Sequence, residues 1–335
     1  MAKAPAAALA ALAGLLLARG AALRAEDAGP LGWFIPTIRP LTLGVTAGFF
    51  AEPERSTSAP TGDFGQSGGA LGLRTQPWRD AGSELQLSLS ARTVDVLGGP
   101  VLPSTGAIPD RFYDLSLGTL YRHVEADGTI WGASVALGTV SDQPLRGRSS
   151  VALNATAFWR IPSGPEQAWI LFVNEGSDRA FANFVPIPGV AWQYNHGTEL
   201  NLLLGVPFLF ARWAPNAWFS TSVGGSVFGN ARLGAAVVPA PTSAAWLSLT
   251  ADYVWSTETW RRADRDDARD RIFVRESRAL GGLAASLGPP LRATVQYGWA
   301  FGRRIREGTS WNHAEGNGID VAAGAIFSAG VSSSF

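Results

Sequence analysis

The 335-residue chain balances 27 Lys and Arg against 27 Asp and Glu, is 46% hydrophobic, holds 39 Gly and 13 Trp, and has no Cys. A net charge of zero argues against nucleic acid as a partner, because its binders carry a basic stripe that neutralises phosphate. The lack of Cys excludes disulfide scaffolds, thiolate metal sites and lipid attachment to an N-terminal Cys, and it suits passage through an oxidising compartment.

Residues 1–25 read as a cleaved signal peptide: Lys3 supplies a positive start, Ala6–Ala18 an apolar stretch of secretory length, and small residues recur from Gly20 to Ala25. Arg19 and Arg24 interrupt the run, which is too short for an anchor of about 20 apolar residues. The remainder, 26–335, reads as one domain. It contains no apolar run of helical spanning length, and shows alternation instead.

The alternation starts at Leu41, Leu43, Val45, Ala47 and Phe49, with Thr42, Gly44, Thr46 and Gly48 between them. It recurs at Leu85–Ala91, Tyr113–Tyr121, Trp131–Leu137 and Val151–Trp159, then more strictly at Leu247–Trp255, Leu291–Phe301 and Ile319–Phe335. These segments exceed the 5–6 residues usual for soluble strands and meet the roughly 9–11 that a tilted strand needs to cross a bilayer. Aromatic residues near their ends, among them Tyr121, Trp131, Trp159, Trp169, Trp192, Trp213, Trp218 and Trp299, are what interfacial girdles require. A soluble sandwich also alternates, but strand length favours the membrane.

Short connections, as at Glu125–Gly128 and Asn195–Glu199, alternate with longer polar ones at Ala51–Gly68, Leu97–Arg111, Ser141–Ser150, Asn174–Gly189, Ser256–Arg271 and Arg303–Asn317. One edge trimmed and the other elaborate is the pattern of outer-membrane barrels, and it makes the strand number even. Taking Leu200–Trp213 as one strand bulged at Pro207, and Trp218–Val238 as another, predicts an all-β transmembrane antiparallel barrel of about 14 strands, with 12 to 16 as the range.

Chemistry is sparse. His123, His196 and His313 are too scattered for a metal site, and Gly224–Gly229 lacks the spacing of a nucleophile elbow. No cofactor is expected, and no catalytic or metal residue is assigned. The densest charge, Glu258–Ser277, holds Asp264, Asp266, Asp267 and Asp270 among arginines. It has Arg269 and Arg275 where a calcium loop needs Gly and Glu. It reads as a salt-bridged extracellular loop exposed to solvent or lipopolysaccharide, with a ligand- or ion-binding role, by folding over the mouth, as the alternative. Parity puts Arg92, Asp114, Arg122, Arg160, Asp252, Arg292 and Gln296 inside, because an Arg or Lys on lipid at mid-depth costs about 2–4 kcal/mol. These residues either pair to stiffen a closed lumen or line an aqueous path and set its ion selectivity. The excess of Arg over Asp leans towards anions.

The end Ala325–Phe335 resembles the terminal strand of bacterial outer-membrane proteins, whose last residue, here Phe335, is read by the barrel-insertion machinery. The stretches Val185–Asn195, Leu200–Pro215, Tyr253–Gly282 and Val295–Arg304 resemble an uncharacterised family of outer-membrane barrels, a domain of unknown function. The resemblance spans roughly the second half of the mature chain and implies a location in the bacterial outer membrane, among its lipid and lipopolysaccharide. The expected function is passive transport of small polar solutes, with a non-conducting surface barrel or a barrel-borne hydrolase as alternatives.

Overall fold

The computed structural model describes residues 30–38, 40–58, 62–103, 105–146, 150–177, 184–226, 230–239, 246–265, 267, 269–288, 291–311 and 318–335. The signal-peptide reading, His313 and Asp266 lie outside them. A single helical turn, α1 (Pro30–Trp33), precedes the strands. In chain order these are β1 (Gly44–Arg55), β2 (Phe64–Arg79), β3 (Ser83–Leu97), β4 (Val101–Leu102), β5 (Gly106–Ala107), β6 (Arg111–Val124), β7 (Ile130–Ser141), β8 (Ala152–Pro162), β9 (Gln167–Gly176) and β10 (Ile187–His196). They continue with β11 (Leu200–Val206), β12 (Phe208–Asn216), β13 (Phe219–Ser226), β14 (Asn230–Val237), β15 (Leu247–Trp260), β16 (Arg271–Ser286), β17 (Leu291–Gly308), β18 (Gly318–Val321) and β19 (Gly324–Ser334).

Each long strand pairs antiparallel with its neighbours, and β19 returns to β1 in the register Gly44↔Ser334 to Ala51↔Phe327. β18 continues the line of β19 beside β17, and β4–β5 is a separate hairpin. Among the described residues the wall is therefore a closed ring of 16 strands. Closure satisfies every edge that would otherwise present unpaired backbone groups.

The predicted 14 becomes 16 because both ambiguous stretches fold back. Leu200–Trp213 turns at Val206–Pro207, so that Leu204 lies opposite Leu209, and Trp218–Val238 splits into β13 and β14. Leu203 faces in and Leu204 out on β11, whereas Phe208 and Phe210 face in and Leu209 out on β12. The inward parity thus switches from odd to even at the turn. A continuous apolar run conceals that switch. Strands at the loop end also reach further than expected, with β2 starting at Phe64 and β15 running to Trp260.

The outward face is an apolar belt carrying Leu71, Leu89, Leu117, Leu137, Leu171, Leu233, Leu249 and Val295. Near the turn end it is ringed by exposed Trp78, Trp131, Trp159, Trp169, Trp213, Trp218 and Trp246. Indole rings at that level fit the boundary between hydrocarbon and headgroups. Phe49 is exposed on this face, as its parity predicts.

Two apolar cores fill opposite arcs of the lumen. At the loop end, Phe64, Val94, Val96, Phe112, Trp260, Ile272, Val274, Ile305 and Ile319 pack beneath the β4–β5 hairpin, whose Leu102 is buried among them. Towards the turn end, α1 and Phe34 pack on Leu120, Ile130, Phe158, Ile170, Phe172, Ala191 and Leu203, contributed by β6 to β11. The first described residues therefore fold into the ring instead of joining its wall. Two of the rings that receive them are seated on cross-strand glycines. Phe158 lies over Gly132, where an added Cβ would come within 2.7 Å of its Cζ, and Phe172 lies over Gly189.

Candidate functional site: the lumen

The N-terminal segment is held by one buried arginine. Arg122, on β6, donates from Nη1 to the carbonyls of Gly32 (3.1 Å), Trp33 (3.0 Å) and Ile35 (2.8 Å), and from Nη2 to that of Thr37 (3.1 Å). Its Nε pairs with the Glu84 carboxylate on β3, and Glu84 also accepts from Gln76 Nε2. Gln76 Oε1 in turn accepts the Leu41 amide at 3.2 Å. Glu84 and Arg122 are 1% and 4% exposed. A guanidinium offers five donors in a fixed fork, and here the fork is occupied by backbone. Trp33 stacks on Phe158 at 5.3 Å, and Phe34 meets the same ring edge-on at 5.4 Å.

A second charged system crosses the lumen. Arg92 on β3 makes a bidentate pair with Glu258 on β15, both contacts at 3.1 Å, although five wall strands separate their backbones by the shorter way round. Beside it Glu52, Arg55, Gln66, Glu276, Arg278 and Arg303 interlock, with Arg303 bridging Glu276 and Glu52. At the loop end the chain after β15 spans the mouth. Arg261 exchanges backbone hydrogen bonds with the end of β7, and its guanidinium reaches the carbonyls of Val151 and Ser177. Arg262 binds the Thr105 carbonyl and Glu307 and holds the Asp264 carboxyl below the usual range. Further along, Arg269 holds the exposed Asp267 carboxyl down to about 2. Arg261 and Arg262, within the charged segment, thus lie across the opening.

The seven residues nominated for the interior fall into four situations. Arg122 and Arg160 face in but are buried, Arg160 donating to Gln193 Oε1 (2.7 Å) and the Gly128 carbonyl (2.6 Å), so neither lines open solvent. Arg92 is the strut. Asp114 lines a cavity of about 190 Å³ with Ser116, Ala136, Gly138, Thr139 and Asn154. Asp252 accepts from Arg232 (2.8 Å) and Gln296 (2.6 Å), and Arg292 sits two residues along the same inward row of β17 as Thr294 and Gln296. Parity located these groups but could not reveal their partners, since Glu258 and Glu84 lie on other strands. Glu84 was legible as an inward carboxylate at a strand start, yet nothing marked its link to a segment 43 residues upstream of it at Leu41.

His123 receives a Ser83 Oγ contact at 2.7 Å on its Nδ1 and lies 5.3 Å from the Trp131 ring; among the described residues no carboxylate is recorded on its other nitrogen. His196 pairs with Glu166 at 2.8 Å on the exposed turn end. Among the described residues no three metal-ligating side chains converge. Phe335 is exposed, and its backbone is tied to Thr42 and Leu43.

The fold and the lumen define a class: a closed antiparallel barrel, apolar outside, with an internal segment. No family model and no curated protein matches the chain. Among solved structures it is similar to an outer membrane channel from Pseudomonas putida F1, at 13% identity over 89% of this chain and 97% of the other, with a TM-score of 0.38. The β domain of the Bordetella autotransporter BrkA is 14% identical over 88% and 100%, with a TM-score of 0.33. OccAB4 of Acinetobacter baumannii is 9% identical over 90% and 99%, with a TM-score of 0.27. These neighbours are outer-membrane β-barrels, and at such scores the likeness carries no functional weight.

Proposed function

We propose that the protein is an outer-membrane barrel that passes small polar solutes, with its own N-terminal segment obstructing one arc of the lumen. The observation that carries this reading is the inner wall away from that segment. Ser88 and Ser90 on β3 are inward yet exposed, and Arg232 on β14, paired with inward Asp252, has a side chain 51% exposed. Inside a ring that is apolar outside, an exposed polar wall marks water. A ring of this strand number is wide enough to hold it, whereas about eight strands are filled by side chains. The turn end would face the periplasm, the outer belt would meet lipid, the loop end lipopolysaccharide, and the Phe335 strand the insertion machinery. The reading is one of transport and not of catalysis.

The test is conductance of the refolded protein in planar bilayers. Small, reproducible steps are expected, larger when Pro30–Ile38 is deleted, with a reversal potential favouring anions that shifts towards cations in Arg292→Glu. A pure, folded protein that gives no steps with or without the segment would remove the channel reading. It would favour the alternative of a non-conducting surface barrel, which the chain crossing the mouth after β15 supports.

A further inference from the structure

Between the N-terminal segment and the wall lies a second cavity, of about 230 Å³, in which ring and aliphatic surfaces predominate. Trp33 and Phe34 form one side, and Phe172, Ile187, Pro207 and Phe208 the other, with Phe172 and Phe208 stacked at 4.7 Å. Its polar corner is Asn154, Thr156 and Asn174. Asn174 Nδ2 donates to Asn154 Oδ1 (3.1 Å), the Ala155 carbonyl (3.0 Å) and Thr156 Oγ1 (2.7 Å). With its oxygen so engaged, Asn154 keeps its NH₂ as its remaining hydrogen-bonding group. Asn154 is exposed and lines the cavity. At the nearby loop-end rim, Val185, two residues before Ile187, and Val206, next to Pro207, are exposed.

We infer that this cavity binds a small aromatic molecule bearing one oxygen, a hydroxyl or carbonyl, and that the occupant keeps the N-terminal segment seated. The walls select the class. An ion or sugar would exchange water for hydrocarbon with few partners, at a cost for every unmatched group, whereas flat apolar rings meet four aromatic side chains. An apolar cavity of about 150 Å³ accommodates benzene, so this one has room for one or two rings but not a lipid chain. The oxygen has a donor waiting at Asn154. Two of the walls belong to the segment, so the site exists only while the segment is in place. A ligand that binds one state and not the other stabilises the state it binds. This second step rests on the channel reading; the first does not.

The probe is 1-naphthol, titrated by calorimetry into the purified protein in lipid nanodiscs, with empty nanodiscs as the blank. Saturable one-to-one binding is expected, weaker for 1-methylnaphthalene, which lacks the oxygen. Asn154→Leu should abolish that preference while retaining binding. Phe208→Ala and Trp33→Ala should each weaken binding by about tenfold or more, a factor equivalent to about 1.4 kcal/mol. Trp33 is on the segment and not in the wall, so that variant leaves the barrel strands intact. No saturable heat, or wild-type affinity in both variants, overturns the site. In bilayers, saturating 1-naphthol should lower the open probability of the wild type and leave the Pro30–Ile38 deletion unaffected. Unchanged conductance at concentrations that saturate the site overturns the coupling. If no preparation conducts, the channel reading fails while calorimetry still decides the site.

Discussion

Glu84 is the residue on which the seating of the N-terminal segment turns, because its carboxylate balances the Arg122 guanidinium and steadies Gln76 at once. Removing one partner of a buried pair leaves an uncompensated charge and costs about 3–5 kcal/mol, while replacing both by apolar residues of similar volume is often neutral. Glu84→Gln should therefore lower the stability of the refolded protein in urea by about that amount, and Glu84→Leu with Arg122→Met should lower it less. Equal losses in the two would show that the pair contributes nothing beyond packing. At the mouth, the Asp267 carboxyl is held at about 2 by Arg269, against about 3.9 for a free Asp. Its folded value is depressed, so its stabilisation of the loop is fully present above about pH 4 and is lost as the pH falls through about 2. A carbon-13 NMR titration, assigned with Asp267→Asn, should find a carboxyl titrating near 2. A value near 4 would mean that the Arg269 contact does not persist in solution.

Among the elements, β3 and β15 show how a barrel can be braced through its middle. The Arg92–Glu258 pair joins them across the lumen with both carboxylate oxygens engaged. Arg92→Glu should loosen the interior and enlarge single-channel steps, and adding Glu258→Arg should restore them. If the double variant behaves like the single one, the pair is not the brace. The long strands were legible from parity alone, since Leu85 to Ala91 and Leu291 to Phe301 alternate without interruption. β11 and β12 were not, for they have 7 and 9 residues and apolar side chains crowd both faces of Leu202–Phe210. α1 was illegible for another reason. Its few residues carry no pattern of their own, and their position is dictated by Arg122, Phe158 and Leu120, far away in sequence.

For the molecule as a whole, the two cores sit on different arcs and at different depths, one under the loop-end hairpin and one around the N-terminal segment. Any passage is oblique, skirting the segment on one side and the cap on the other. Parity nominated side chains for the interior; whether they face water or one another depends on contacts between strands that sequence spacing does not encode.

The seam between β1 and β19 has a further consequence. Its partners lie far apart along the polypeptide, so the cylinder cannot be finished until the eleven-residue β19 has been made. A version ending before Gly324 would expose two raw margins, those of β1 and β17, each bearing backbone groups that hydrocarbon cannot solvate, at several kcal/mol apiece. Such a fragment should accumulate as aggregate and be degraded, not lodge in the bilayer as a slightly smaller pore. Detecting it folded there, by the slower or faster gel migration of unheated samples relative to boiled ones, would show that the ring can be sealed by another pairing.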